Sequence, residues 1–328
     1  MGISRRWVLG VIGWLFFFLT FQWRTAMAQL LFRPKRRMKP IRFDNPYKEG
    51  GKALVGIVRG KDIMSMVREA VSLIGGLERI GVKGKTVLVK PNVVSGEPNP
   101  ATTNPEVVRA VVKLLKENGA SRVIVGDMSA MMTLSTKRNM ERTGIKKAAE
   151  EEGAEVVYFE DHDWVEVELP GTKYIPKVYV TEWIFNVDRV INLPVIKTHR
   201  SASYSICLKN FIGATHLKFR PYLIDTEHWE ELIAEMNIAY QPHLNIVDGT
   251  RIMIEGGPWE GTAVDTNLII ASGDRVAADI TGLEIIKKFG KWRMVTGKDI
   301  WEQKQIKRAL ELGLGAGKGD IKVIDKSL

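Results

Sequence analysis

Three stretches of this chain place reactive or charged side chains beside glycine, proline or serine, where a backbone can turn. The richest is Asn192–Gly213, NLPVIKTHRSASYSICLKNFIG. An apolar run from Arg189 to Ile196 stops at Lys197-Thr198-His199, and a serine-rich loop leads on to Lys209-Asn210. Residues two apart share a side of an extended chain, so Lys197 and His199 are expected to point the same way. A nearby ammonium depresses the proton affinity of an imidazole, and a neutral imidazole serves as an acid/base group or a metal ligand. The competing reading makes Lys197 a solvated strand-end charge and His199 a hydrogen-bonded loop residue. The second stretch holds Lys90 and Asn92, then Thr103 in a loop rich in Gly, Pro, Asn and Thr (95–104), and Asp127 after Gly126. With Lys209 and Asn210, these are the expected substrate contacts, because ammonium and amide groups suit a carboxylate or phosphate. The third is Asp248-Gly249 followed by Glu255-Gly256-Gly257-Pro258. Two carboxylates on a glycine-rich loop could exchange protons or bind a hard cation, although both glycine pairs also suit ordinary turns. The expected catalytic group is therefore Lys197, His199, Asp248 and Glu255, with His199, Asp248 and Glu255 as the candidate divalent-metal set.

These residues need elements to position them. From about residue 51 the chain alternates short apolar runs with helical spacings. Strands are expected at 53–58, 86–90, 122–125, 155–159, 189–196, 245–247, 266–271 and 321–324. Helices are expected at 61–75, after the Asn104 cap with Pro105 at its first position, at 137–152, near 226–239, at 276–288 and at 298–312. Segment 163–182 is rich in β-branched and aromatic residues and predicts a small β excursion near 160–185. The alternation predicts an α/β fold, a mixed and mostly parallel sheet with helices on both faces. In such a sheet the ends at Lys90/Asn92, Asp127, Lys197/His199 and Asp248 meet at one carboxyl edge, where open α/β folds bind ligands. Gly313–Gly319, GLGAGKG, lacks the Lys-Ser/Thr of a phosphate loop and follows a helix, so it reads as a cap and turn.

Composition limits the alternatives. The chain has 328 residues, 45% hydrophobic and 26% charged, enough to bury a full core. Its net charge of +10 is uneven: residues 1–28 hold +3 and residues 29–40 hold +5. The body is nearly neutral, so no nucleic-acid-binding face is expected. The single cysteine, Cys207, cannot ligate an iron–sulfur cluster within the chain and is expected as a small buried side chain. At the N-terminus, Ser4-Arg5-Arg6-Trp7-Val8-Leu9 resembles a twin-arginine export signal. An apolar run from Trp7 to Trp23 follows, then Ala26-Met27-Ala28 in the form of a signal-peptidase site. Residues 1–28 thus read as a signal peptide or membrane anchor, 29–50 as a basic linker and 51–328 as one α/β domain. The expected location is the periplasm or a membrane surface. Basic residues after the run favour keeping them in the cytoplasm, so an anchor on that side is the alternative. The segment 33–39 is expected to touch anionic lipid heads.

Six collinear segments resemble the domain-of-unknown-function 362 family: 87–94 (VLVKPNVV), 102–120, 125–127, 191–213, 248–261 and 268–286. Members often carry twin-arginine signals, and many are fused to ferredoxin-like iron–sulfur modules, so the resemblance implies redox chemistry. This chain lacks such a module, and a redox role would need a partner protein or another cofactor. One departure is Met128, where a small hydroxyl residue is expected after Gly-Asp; it weakens any role for Asp127. Two functions follow as expectations. The first is an exported enzyme acting on a small anionic molecule, metal-assisted or redox with a partner. The second is a periplasmic module that binds or assembles an anion or cofactor without turning it over. A catalytic site would show His199 hydrogen-bonded to a carboxylate or metal.

Overall fold

The computed structural model describes residues 31–328, so the signal or anchor reading of 1–28 lies outside the described residues. Arg36–Leu328 groups as one compact unit. It begins with β1 (Arg36–Met38), β2 (Lys48–Glu49), β3 (Lys52–Arg59), α1 (Ile63–Leu73), β4 (Thr86–Pro91), α2 (Pro105–Glu117) and β5 (Arg122–Asp127). It continues through α3 (Thr136–Arg142), α4 (Ile145–Glu151), β6 (Glu155–Tyr158), β7 (Trp164–Glu168), β8 (Lys177–Thr181), β9 (Arg189–Leu193) and β10 (Val195–His199). Next come β11 (Ser203–Ser205), α5 (Cys207–Asn210), α6 (Pro221–Ile224), α7 (Trp229–Met236), β12 (Leu244–Gly256) and β13 (Gly261–Ser272). The last elements are α8 (Arg275–Lys288), α9 (Arg293–Thr296), α10 (Lys304–Glu311) and β14 (Ile321–Ser327).

The main sheet runs β14-β3-β13-β12-β9-β4-β5-β6, with β10 and β11 attached beside β12 and β2 beside β3. Its pairings are mostly parallel: β14 with β3, β12 with β9 and β10, β9 with β4, β4 with β5, and β5 with β6. β13 is antiparallel to β3 and β12, β11 to β10, and β2 to β3. The fold is therefore α/β with a mixed, mostly parallel sheet. Alternation along the strands explains why both faces are covered. Val87 and Val89 pack in one core with Val67, Ala70 and Val71 of α1 and Val107, Val108 and Val111 of α2. Leu88 points the other way and is equally buried, as are Val55, Ile124 and Ile270. α8 lies against β3, β10, β12 and β13.

Caps start the helices where short polar side chains precede apolar periodicity. Asp62 accepts from Ser65 N at 2.7 Å, and Asn104 accepts from Glu106 N at 3.0 Å with Pro105 next to it. Gly144, at φ 81°, divides the expected helix 137–152 into α3 and α4. Asp274 caps α8 and also accepts from Ala316 N at 2.8 Å, so the glycine run at 313–319 folds against that helix start.

Residues 36–50, expected within a basic linker, belong to this compact unit. β1 pairs with β7, and β7 with β8, as a separate three-stranded sheet; β7 and β8 fall in the expected β excursion, whereas β1 comes from the segment expected as linker. Arg36 lies 3.4 Å from Glu182 and Arg37 lies 3.0 Å from Glu166, so two of the basic charges face the body's own acids. Among the described residues no helix is long and apolar enough to cross a membrane.

Two expectations about the sheet fail. The run at 189–196 is two strands, β9 and β10, parted at Pro194, and Lys197–His199 lie within β10 rather than in a loop. The strand at 245–247 does not end at Asp248-Gly249 but runs thirteen residues to Gly256. It changes partner on the way, from β9 at Leu244 and Asn245 to β10 at Asp248 and Met253. Pro194 marks the same step on the other side, where Asp248 N donates to Pro194 O at 2.8 Å. Gly249 is no turn residue. A Cβ there would sit 2.3 Å from Leu268 Cδ1, so glycine lets β13 approach closely.

Candidate functional site

The parallel strands β4, β5 and β9 end on one edge, and β10 extends past them. There the chain encloses a cavity of about 390 Å³ lined by Asn92, Asp127, Lys197, His199, Lys209 and Asn210 among others. Arg220, Tyr222, Trp229, Trp259, Met128 and Met132 supply much of the remaining wall. Six residues expected at the site thus meet at one cavity. Lys90 stands behind them, and Thr103, Asp248 and Glu255 do not line it.

Lys90 and Asp127 form a buried ion pair at 2.7 Å, each side chain 3% exposed. Asp127 also accepts from Val93 N at 2.7 Å, which fixes the chain leaving β4. Burial pulls the Lys90 ammonium below its ordinary range, and the Asp127 charge opposes that pull. A Cβ on Gly213 would lie 2.2 Å from Asp127 Oδ1 and 2.8 Å from Lys90 Nζ, so only glycine leaves the pair its space.

Lys197 is 1% exposed and donates to Asn92 Oδ1 at 2.7 Å and to Ala101 O at 2.5 Å. Burial holds its ammonium well below the ordinary range, and the Lys209 and Lys90 charges push in the same direction against Asp127. Asn92 belongs to a directional ladder of amides. Asn92 Nδ2 donates to Asn210 Oδ1 at 3.0 Å, Asn210 Nδ2 to Asn192 Oδ1 at 2.8 Å, and Asn192 Nδ2 to Asn245 Oδ1 at 2.9 Å. Asn245 Nδ2 ends the ladder on Ser272 O at 3.1 Å. Strand register explains it: Lys90, Asn192, Asn245 and Ser272 occupy one row across β4, β9, β12 and β13.

His199 is neutral because burial, then the charges of Lys209 and Lys197, hold its imidazole well below the ordinary range. Its Nδ1 accepts from Ser201 N at 3.1 Å and Ala202 N at 3.2 Å. The proton of the neutral ring is therefore on Nε2, and the ring meets a ligand as a hydrogen-bond donor. No carboxylate is hydrogen-bonded to it among the described residues, so the arrangement expected of a catalytic histidine is not formed. Lys209 is half-buried, with no hydrogen-bond acceptor or carboxylate partner among the described residues. Burial, then the charges of Arg220 and Lys90, push its ammonium down to about 7.

The other expected residues are used structurally. Asp248, fully buried, accepts from Asn99 Nδ2 and Asn104 N at 2.8 Å each, and from Thr250 N and Oγ1 at 2.9 and 2.7 Å. It ties the 95–104 loop to β12. Thr103 Oγ1 accepts from Asn92 N at 2.8 Å and donates to Leu193 O at 2.9 Å, joining the ends of β4 and β9. Glu255 is exposed on β12 and accepts from Thr262 at 3.1 Å. His199, Asp248 and Glu255 consequently form no ligand set, and among the described residues no three His, Cys, Asp or Glu side chains come together to hold a metal ion. Cys207 is buried, and with one cysteine the chain ligates no iron–sulfur cluster by itself.

Three cavity residues escaped the sequence reading. Arg220 is 5% exposed and donates to Ile212 O and, at 3.2 Å, to Ser129 O. Its Nε–H is buried without an acceptor among the described residues, as is the Trp229 indole N–H. Tyr222 follows Arg220 in the same loop and helix start. Met128, the departure from the family pattern, is buried in the cavity wall.

Comparisons with known proteins agree with the resemblance read from the sequence. A thylakoid-associated protein from Synechocystis sp. is 26% identical over 238 residues, covering 69% of this chain and 70% of that protein. The lactate racemase apoprotein from Thermoanaerobacterium thermosaccharolyticum superposes with a TM-score of 0.46 at 12% identity, over 75% of this chain. A Thermotoga maritima protein superposes at 0.39 and 16% identity over 69% of this chain. This chain spans 58% and 57% of the lengths of those two structures. The model of the domain of unknown function DUF362 matches residues 87–284, and the chain belongs to that family.

Proposed function

We propose that this protein binds a small anion with an apolar body in the cavity at the carboxyl edge of its sheet. One observation carries the reading: the inner wall presents hydrogen-bond donors. Lys209, the Arg220 Nε–H, the Trp229 indole N–H and the His199 Nε2–H all belong to cavity residues. Asp127 is committed to Lys90, and Glu260 lies exposed at the rim. Two of the donors, the Arg220 and Trp229 N–H groups, are buried without acceptors among the described residues; such groups cost about 1–3 kcal/mol each, and an anionic ligand removes that cost. Methionine and aromatic walls suit a hydrocarbon body on that anion.

Binding is better supported than proton transfer by His199, because the ring nitrogen left to the cavity already carries its proton. The test is a ligand-observed NMR titration of the purified full chain with benzoate, alongside inorganic phosphate. Lys209→Met and Arg220→Met should each weaken benzoate about tenfold or more, the worth of one charge-assisted hydrogen bond. Absence of saturable binding by either anion would refute the proposal. A membrane-proximal location is part of the reading, supported by the basic N-terminal segment and by the name of the Synechocystis relative.

A further inference from the structure

We infer that Lys197 is a nucleophilic amine that forms an imine with the ketone carbon of a 2-oxo acid held in this cavity. The inference rests on the anion-binding reading and names the substrate class it serves. Three observations lead to it. First, Lys197 is 1% exposed yet lines the cavity, and it makes no ion pair among the described residues. Second, its Nζ has two acceptors in fixed positions, Asn92 Oδ1 at 2.7 Å and Ala101 O at 2.5 Å. A neutral amine has two N–H bonds, so both are spent and one tetrahedral direction is left for the lone pair. Burial and the neighbouring cations favour that neutral form. Third, the cations needed for a carboxylate stand beside it in Lys209 and Arg220, on separate elements from the amine.

The step balances without an oxidant or reductant. The lone pair of Nζ attacks the ketone carbon and a C–N bond forms as the C=O electrons move to oxygen. The two amine protons leave with that oxygen as water, and a C=N bond replaces the C=O bond. The His199 Nε2–H can donate to the oxygen while it carries charge, because Lys197 and His199 alternate onto one side of β10. The apolar wall of Met128, Tyr222 and Trp229 limits water at the new bond.

The experiment is reductive trapping. The full chain is incubated with benzoylformate and cyanoborohydride at neutral pH, then analysed by intact mass and peptide mapping. A single adduct per chain on Lys197, suppressed by excess benzoate and absent from Lys197→Met and Lys197→Arg, is the expected result. Because mapping of the wild-type chain locates the adduct, the test does not depend on either variant folding. An adduct on Lys209, or spread over surface lysines, would overturn the inference. So would benzoate binding with no adduct, which leaves anion binding intact. Failure of benzoate and phosphate to bind at all would overturn both readings.

Discussion

Benzoate affinity should fall as pH rises through about 7, with Lys209 the group responsible. Its ammonium is held at about 7 by burial first and by the Arg220 and Lys90 charges next. A bound anion favours the protonated form and raises its proton affinity in the complex. Below pH 7 the free protein already carries the charge, and affinity is complete. Above it, binding must take up a proton, and apparent affinity drops about tenfold per pH unit until the complex itself titrates. Between pH 6 and pH 8 the expected loss is therefore about tenfold, or about 1.4 kcal/mol. Benzoate stays ionised throughout this range. His199 stays neutral, since its imidazole is held well below its ordinary range, and Lys90 is paired with Asp127. Lys197 is displaced in the same direction as Lys209, so the variant must separate them. Lys209→Arg keeps a charge that does not titrate here and should flatten the profile. The assay is the NMR titration at half-unit pH steps. Affinity that is constant or tightens from pH 6 to pH 8 would refute the reasoning, as would a slope unchanged in Lys209→Arg.

Other perturbations follow from the same contacts. Gly213→Ala should destabilise the protein by roughly 3 kcal/mol in denaturant unfolding, because its Cβ must part a buried ion pair; unaltered stability rejects the packing described. Asp248→Ala strands the donors of Asn99, Asn104 and Thr250, and should cost roughly 3 kcal/mol in the same assay. If it abolishes benzoate binding at normal stability, Asp248 is a site residue after all. Asn192→Leu breaks the amide ladder at its centre and should cost about 2 kcal/mol, with a Tm no lower than wild type counting against the ladder. Full-length protein should sediment with vesicles containing anionic lipid and be released by high salt, whereas salt-independent or absent binding argues against membrane contact through the basic segment.

The edge of the sheet was legible because short apolar runs end abruptly in Lys90, Asp127 and Lys197, and parallel strands bring such ends together. Asp248 misled because Asp-Gly is good turn chemistry, whereas β12 passes through it by changing neighbours from β9 to β10. Local sequence does not encode that exchange; it depends on where Pro194 breaks a different strand. Asn192 and Asn245 carried a readable signal that went unused. An amide inside an apolar strand needs a partner when buried, and two such strands offer one another that partner. Arg220 and Trp229 reach the cavity from chain about twenty or more residues beyond His199, a convergence only tertiary packing produces. The proton position on His199 depends on two backbone N–H groups in a tight loop, which residue types alone do not announce.

The amide ladder has a polarity. Each of its four asparagines accepts on one side and donates on the other, and the sense is set by Ser272 O, a backbone carbonyl with nothing to donate. Turning one amide over would set donor against donor on one side and acceptor against acceptor on the other, so the four hold a common orientation. The acceptor that Asn92 shows to Lys197 is thus decided three strands away, on β13. Lys197 meets an oxygen rather than an NH₂ for as long as the sheet keeps its register. The fold in this way transmits a directional choice from β13, an antiparallel strand inside the sheet, to the nitrogen at its cavity.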